Sequence, residues 1–111
     1  MAGFEKKSLF IEYFGDYPLI RIIDFLLEDY LFDYPKKYIA KNSGVAWNTF
    51  KKIFYRLVEN GLVINTRKVG KSEMYQINKN NIIVQKLFEI NKALMLNVLK
   101  EETKVSKIIE V

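Results

Sequence analysis

The stretch that most constrains the fold of this chain is residues 36 to 61, KKYIAKNSGVAWNTFKKIFYRLVENG. Apolar residues recur at helical spacing on both sides of a short break at Asn42-Ser43-Gly44. Gly44 can adopt the left-handed backbone that other residues resist, and Ala40 is small enough for two helices to cross beside it. Two helices joined by a short turn that contains glycine form a helix-turn-helix, and the sequence predicts that motif here.

The charge of the same stretch indicates what it binds. Between Tyr34 and Val58 there is no Asp or Glu, and the cations there are Lys36, Lys37, Lys41, Lys51, Lys52 and Arg56. A short cationic run is often only a solvated surface. Because this run coincides with a helix-turn-helix spacing, we expect an anionic partner, and the pattern favours nucleic acid.

Length and composition exclude several classes of protein. With 111 residues, half of them hydrophobic, the chain is long enough for one domain with a modest core. It contains no cysteine or histidine, so disulfides, thiolate metal sites and the usual general base are excluded. We therefore expect no cofactor, no metal and no enzymatic activity. The sequence shows neither a signal peptide nor an apolar run of membrane-spanning length, so we expect a cytoplasmic protein without membrane contact.

The first part of the chain is acidic and apolar. Residues 1 to 34 carry seven acidic and three basic side chains. Residues 1 to 16 form an N-terminal packing segment whose period fits either a helix or a strand. Residues 17 to 32 are predicted to form the first helix, with Pro18 in its first turn and Asp16 available as its cap. Its outer face would carry Arg21, Asp24 and Glu28, and after a short extended link Pro35 would open the second helix.

The third helix is predicted from about Ala46 to Asn60, and a β-hairpin follows at residues 62 to 79. The helix would bury Phe50, Ile53, Phe54 and Leu57. The hairpin tip is Val69-Gly70-Lys71-Ser72, with Arg67, Lys68 and Lys71 beside it. Such a hairpin can be an ordinary surface feature, but its position after the third helix favours a wing.

The last part of the chain is predicted to be helical. Within residues 80 to 99, Ile83, Leu87, Ile90, Leu94 and Val98 form an apolar stripe at four- and three-residue spacing. One small body cannot cover so wide an apolar face, so we expect a homodimer; the alternative is that the stripe folds back on the first helix. Residues 100 to 111 continue the amphipathic pattern, either as the same helix or after a bend.

These elements predict a mainly α fold with a small β-hairpin wing. A winged helix-turn-helix domain would occupy residues 17 to 79, and a C-terminal helical dimerisation segment would occupy residues 80 to 111. The chain also resembles a known family through several short matches: Phe14-Gly15-Asp16 with Pro18, Asp24 to Leu27, Ile39-Ala40 to Gly44-Val45, Glu59 to Val63, and the hairpin residues Arg67, Gly70, Tyr75, Ile77 and Asn78.

In this order and spacing, the matches resemble the winged helix-turn-helix transcriptional regulators common in archaea, which are similar to the MarR and ArsR types. The resemblance covers roughly residues 8 to 96. It implies DNA binding by the third helix in the major groove, a wing on the backbone or minor groove, and dimerisation through the last helix. The family usually has a small hydroxyl residue where this chain has Ala46-Trp47, so Trp47 either contacts DNA or packs. Without cysteine and histidine, the metal-sensing role of some members is not expected.

The leading hypothesis is a homodimeric, sequence-selective regulator that binds double-stranded DNA. The candidates for reading bases are Trp47, Asn48, Thr49, Lys51 and Lys52. The candidates for contacting phosphates are Lys36, Lys37, Lys41, Tyr55, Arg56, Arg67, Lys68, Lys71 and Ser72. The alternatives are a plasmid partition or chromosome-organising DNA-binding protein, and a winged-helix module that binds proteins through Leu9 to Phe14 and the last helix. A small-molecule effector is left open.

Overall fold

The computed structural model describes the backbone of residues 8 to 110 and the side chains of residues 8 to 101. Within this range the elements are α1 (Leu9–Phe14), α2 (Pro18–Glu28), β1 (Tyr34–Pro35), α3 (Lys36–Ser43), α4 (Trp47–Glu59), β2 (Val63–Val69), β3 (Ser72–Ile77) and α5 (Ile82–Glu110). The predicted fold class, mainly helical with a hairpin wing, is confirmed. The predictions for residues 1 to 7 and for Val111 lie outside the described residues.

Helices α2, α3 and α4 surround the centre of the core. On α4, Phe50, Phe54 and Leu57 are buried, at the spacing that puts them on one face of a helix. Ile22 of α2 and Ile39 of α3 are fully buried against them. Burying a side chain of this size contributes about 1.5–3 kcal/mol to stability. These contacts therefore fix the position of α4 against α2 and α3.

Within the segment of ambiguous period, Leu9–Phe14 form helix α1, which covers one side of α2. Ser8 caps α1 by accepting a hydrogen bond from Ile11 N at 3.2 Å, and its hydroxyl donates to Asp24 Oδ1 at 2.7 Å. Phe10 is 2% exposed. Asp24 was expected on the outer face, but it is only 9% exposed. The expectation was wrong because α1 packs on that side of α2, which the period of α2 alone does not show.

The ends of α2 also differ from the prediction. Tyr17, and not Asp16, is the cap residue, and it makes no side-chain capping hydrogen bond. Asp16 instead forms an ion pair with Arg21, with 3.3 Å between Oδ1 and Nε. The helix ends at Glu28, and Tyr34–Pro35 form the short strand β1 where only an extended link was expected. Pro35 lies just before α3 in extended conformation, so it precedes the helix without being part of it.

The turn between α3 and α4 has the predicted helix-turn-helix geometry. Gly44 has φ +69°, its N–H donates to Lys41 O at 3.2 Å, and Val45 N–H donates to Ala40 O at 3.0 Å. These bonds satisfy carbonyl groups at the end of α3 that would otherwise lack partners. Ala40 and Val45 are both buried. The small side chain at position 40 therefore lies inside the junction of the two helices.

The three strands form an antiparallel sheet in the order β1-β3-β2. Tyr34 pairs with Tyr75, and Val63 pairs with Ile77. Gly70 and Lys71 form the two-residue turn between β2 and β3, with Gly70 at φ +61°. The register shifts between Asn65 and Arg67, which leaves Thr66 as a bulge. The hairpin and its tip are therefore as predicted.

Helix α5 is one continuous helix of 29 residues, which decides between the two predicted alternatives. Asn81 caps it, because its Oδ1 accepts from Ile83 N at 2.8 Å and Val84 N at 3.2 Å. Its length is roughly 43 Å. Val84 and Leu94 belong to the core cluster. None of the helices described is both long and apolar enough to span a bilayer.

Candidate nucleic-acid interface

The exposed face of α4 carries most of the predicted base-reading side chains. Asn48, Thr49, Lys51 and Lys52 are all exposed on the first two turns. Asn48, Thr49 and Lys52 make no side-chain hydrogen bond or ion pair with the described residues. Because the opposite face of α4 is anchored in the core, these polar groups are held at the surface and are available to a ligand.

Trp47 packs on one side and is open on the other. Its ring stacks on Phe50, with 5.6 Å between centroids and 13° between planes, and it remains 38% exposed. Lys51 Nζ lies 5.9 Å from the centre of the Trp47 ring. The structure therefore shows a packing role for Trp47, and a contact with DNA through its exposed edge stays a prediction.

The start of α3 adjoins the wing. Lys36 Nζ lies 5.3 Å from the centre of the Tyr75 ring, and this ring packs edge-on against Phe54 of α4. A groove of about 390 Å³ separates the two elements, and its lining residues are Pro35, Lys36, Lys37, Ser72, Glu73 and Tyr75. The structure thus brings three predicted phosphate contacts, Lys36, Lys37 and Ser72, to one groove.

Arg67 is already engaged within the protein. Its Nε and Nη2 donate to the two carboxylate oxygens of Asp33 at 2.9 and 3.1 Å, and Thr66 Oγ1 donates to Asp33 Oδ2 at 2.6 Å. The hydrogen bonds from Arg67, followed by that from Thr66, lower the pKa of Asp33 to about 2. Arg67 is a predicted phosphate contact, but an acidic residue 34 positions earlier already compensates its charge within the protein, which the local pattern of the hairpin does not show.

The other cations on the wing are less engaged. Lys68 and Lys71 are exposed, and neither forms an ion pair with the part of the chain that the structure describes. Glu73 accepts a hydrogen bond from Asn65 Nδ2 at 2.9 Å, across the two strands of the hairpin. Lys68 and Lys71 thus remain as uncompensated charges at the tip, available to bind an anion.

The predicted contacts in the second half of α4 lie in different surroundings. Tyr55 donates a hydrogen bond to Glu59 Oε1 at 3.1 Å, which raises the pKa of Tyr55. Arg56 faces a smaller groove of about 240 Å³ whose other lining residues are Leu19, Ile53, Leu57, Asn60 and Leu62. Lys41 is exposed in the last turn of α3, where a cation interacts favourably with the helix dipole.

Arg21 lies outside the candidate interface but holds the turn between α3 and α4 in place. The sequence interpretation missed this role. Its Nη1 donates to Gly44 O at 2.8 Å, so the side chain ties α2 to the turn between α3 and α4. The pattern of α2 had placed it on an outer face. The available signal was that Arg21 is the one cation in a helix otherwise charged only by acids.

The predicted dimer stripe on α5 is divided between the core and the surface. Leu94 is only 9% exposed, Leu87 is half-buried, and Tyr30 contacts Phe88 edge-on at 5.4 Å. Leu94 was expected to face a partner, but it packs in the core of its own chain. The side chains left exposed are Ile82, Ile83, Ile90, Met95, Leu96, Val98 and Leu99. Ile83, Ile90 and Val98 of the predicted stripe are therefore exposed, whereas Leu87 and Leu94 pack toward their own chain.

Comparison with known proteins concerns the fold. No protein-family model and no curated protein matches the chain. The solved structure of Sso10a-2, a DNA-binding protein from Sulfolobus solfataricus, is similar over 79% of this chain and 92% of its own, with a TM-score of 0.50 and 16% identity. That of NadR in complex with 4-hydroxyphenylacetate is similar over 91% of this chain and 76% of its own, with a TM-score of 0.48 and 16% identity. Together with the geometry above, the first likeness shows that this chain has a winged helix-turn-helix fold followed by a long C-terminal helix.

Proposed function

We propose that this protein is a sequence-selective transcriptional regulator that binds double-stranded DNA. The observation that carries the proposal is the surface of α3 and of α4 as far as Val58, whose only charged side chains are cations. Between Tyr34 and Val58 every charged side chain is a Lys or Arg, and those in the first half of α4 lie on its exposed face. The fold is shared with a protein described as DNA-binding, which supports the same conclusion.

In this proposal the first half of α4 enters the major groove. Asn48 can bond bidentately to adenine and Lys52 to guanine, since these are the base edges that an amide and an ammonium group recognise. Lys36, Lys37 and Ser72 contact phosphates from their common groove, and Lys68 and Lys71 do so from the wing. Phosphate contacts set the register, and base contacts provide the selectivity.

The proposed unit is a homodimer joined through α5. Exposed apolar side chains such as Ile90, Met95 and Val98 support this part of the proposal. A two-fold pair of α5 helices would cover them with the same residues of the second copy. Two α4 helices would then face one side of the DNA, at half-sites about one helical turn apart or a multiple of it.

The experiment that tests the proposal compares two substitutions of equal charge. Lys52→Glu on α4 and Lys92→Glu on α5 each change the net charge by the same amount. Lys92 is exposed and lies outside α3, α4 and the wing, and light scattering checks that both variants keep the oligomeric state of the wild type. A duplex is first selected from random sequences, and its binding is then measured by fluorescence anisotropy. We expect Lys52→Glu to abolish binding and Lys92→Glu to weaken it only slightly.

Two outcomes would contradict the proposal. If both substitutions weaken binding equally, the attraction comes from net charge and not from the face of α4. If the wild-type protein binds no duplex at low salt, DNA binding itself is excluded. A protein-interaction module is the remaining candidate in that case, and it is favoured by the exposed Tyr13, Phe14 and Tyr17 at the junction of α1 and α2.

A further inference from the structure

Three donor groups converge on the carboxylate of Asp33, which lies just before β1. Arg67 supplies two of them, to different carboxylate oxygens, and Thr66 supplies the third. The Asp33 side chain is only 14% exposed, whereas the Arg67 side chain is 64% exposed. Asp33 is therefore enclosed by the base of the wing, while Arg67 lies over it from the solvent side.

The bulge in β2 makes this convergence possible. In a regular strand, Thr66 and Arg67 would point to opposite faces of the sheet because successive side chains alternate. The register shift between Asn65 and Arg67 removes that alternation. Both side chains consequently reach the same carboxylate.

The contact also spans the full width of the sheet. Asp33 adjoins β1, Arg67 is on β2, and β3 lies between them, with Met74 paired to both Pro35 and Arg67. The two edge strands are roughly 10 Å apart at two strand spacings. A side-chain link across that distance fixes the hairpin relative to the helical body, independently of the hydrogen bonds between the strands.

We infer that Asp33 is a positioning residue for the wing: it holds Thr66 and Arg67 so that Lys68 and Lys71 are presented to DNA phosphates. Arg67 then acts as part of the link and not as a phosphate contact. The DNA-binding part of this inference rests on the proposed function. The ordering of the wing by Asp33 does not, and it can be measured on the free protein.

The inferred role of Asp33 predicts a change in DNA affinity that is opposite in sign to the change expected from charge alone. Replacing Asp33 by Asn removes a negative charge close to the wing and releases Arg67. If the pair were only incidental, the variant would bind DNA more tightly, with a steeper dependence on salt. If Asp33 positions the wing, the variant binds more weakly, and fewer counterions are released because Lys68 and Lys71 no longer reach their phosphates together.

The experiment uses Asp33→Asn, with Asp29→Asn as its matched control. The control removes the same charge four residues earlier, from a side chain without a hydrogen bond or ion pair to the described residues. Amide hydrogen exchange of the free protein reports on the wing, residues 66 to 74. We expect exchange there to become roughly two- to fivefold faster in Asp33→Asn, with the amides of α4 unchanged and no effect in the control.

Binding of the selected duplex is measured on the same proteins. We expect Asp33→Asn to lower affinity roughly threefold or more, and to reduce the magnitude of the log-log salt slope by about one to two. Arg67→Lys, which keeps the net charge but cannot bond bidentately, is the second variant. It should also accelerate wing exchange and weaken binding, and it covers the case in which Asp33→Asn does not fold.

The possible outcomes separate this inference from the proposed function. Unchanged wing exchange in both variants overturns it, and so does faster exchange with unchanged or tighter DNA binding. If the wild type binds no DNA, the proposed function fails, together with the part of the inference that concerns phosphates. The exchange data still decide whether Asp33 orders the wing.

Discussion

Two carboxylates in this chain, Asp24 and Asp33, have opposite environments. Burial raises the pKa of Asp24, and the hydrogen bond from Ser8 opposes that rise only in part. At Asp33, the hydrogen bonds from Arg67 and Thr66 lower the pKa to about 2. Asp24 therefore stabilises the fold most when it is protonated, and Asp33 does so when it is charged.

The Asp33 pair predicts where the free protein loses order in acid. Because the pKa in the folded state lies below the ordinary value of 3.8, the stabilisation is present above that value and is lost as the pH falls toward about 2. We therefore expect wing amide exchange, after correction for the intrinsic pH dependence, to be constant from neutral pH down to about 5 and to accelerate below it. In Asp33→Asn this acceleration of exchange in acid should be absent. The same acceleration in the variant would contradict its assignment to Asp33.

Asp24→Asn should stabilise the protein at neutral pH. The folded-state pKa of Asp24 is raised. Its contribution to stability is therefore fully present below its unfolded-state pKa of 3.8 and is lost as the pH rises through the folded-state pKa. Asn has nearly the same shape, stays uncharged and can still accept from Ser8. Urea denaturation should show a higher midpoint than wild type at pH 7 and a smaller difference near pH 4. The exposed Glu12→Gln on α1 is the control, and a less stable Asp24→Asn would contradict the prediction.

Asn48 and Lys71 should have different effects on DNA selectivity. Asn48→Ala removes an amide that can read one base, so discrimination at one position should fall by about 1–3 kcal/mol. Lys71→Ala removes only a phosphate contact and should weaken binding to all sequences alike. Competition between the selected duplex and single-base variants measures both effects. Equal loss on selected and random DNA from Asn48→Ala would remove it from the base-reading face.

At the scale of elements, the helix-turn-helix depends on the backbone of one glycine. Gly44 has φ +69°, and a Cβ there would lie 3.3 Å from Arg21 Nη1, whereas a Cβ at Gly70 (φ +61°) would meet nothing within 4 Å. Gly44→Ala should cost about 1 kcal/mol for the left-handed conformation, and more where Arg21 has to move. Gly70→Ala isolates the conformational cost. If both substitutions lower the free energy of unfolding equally in urea denaturation, a Cβ at position 44 does not displace Arg21.

At the scale of the whole molecule, the uneven charge predicts a steep salt dependence. The acidic residues of the first 34 positions and the cations of positions 35 to 58 occupy different parts of the chain. If each subunit neutralises about three or four phosphates, a dimer should show a log-log slope of roughly −5 to −7 between about 50 and 200 mM salt. Anisotropy titrations measure this slope, and a flat dependence would exclude the electrostatic assignment.

The exposed apolar face of α5 predicts a dimer that can be separated without unfolding. Ile90 is 38% exposed and Val98 is 37% exposed, so Glu at both positions should give a folded monomer with weaker DNA binding. Leu94 is buried in its own chain, so Leu94→Ala should instead lower the free energy of unfolding by about 2–5 kcal/mol. Light scattering and thermal denaturation distinguish the two effects. A wild-type monomer at micromolar concentration would refute the dimer.

Local sequence patterns were sufficient for much of the fold. The third helix was predicted from about Ala46 to Asn60 and runs from Trp47 to Glu59, and the turn at Gly70-Lys71 lies within the predicted tip. Helical period, strand alternation and the glycines at the turns are properties of neighbouring residues. For the same reason the exposed face of α4, and with it most of the candidate base-reading residues, could be derived from the sequence alone.

Only the tertiary structure decided which charged and apolar groups are free. Asp24 is buried because α1 covers it. The charge of Arg67 is compensated by Asp33, which adjoins the opposite edge strand of the sheet. Leu94 packs on its own chain instead of facing outward. In each case the environment of a side chain is set by a segment distant in sequence. The period of one element specifies that it has an apolar or polar face, but the packing of the other elements determines what that face meets.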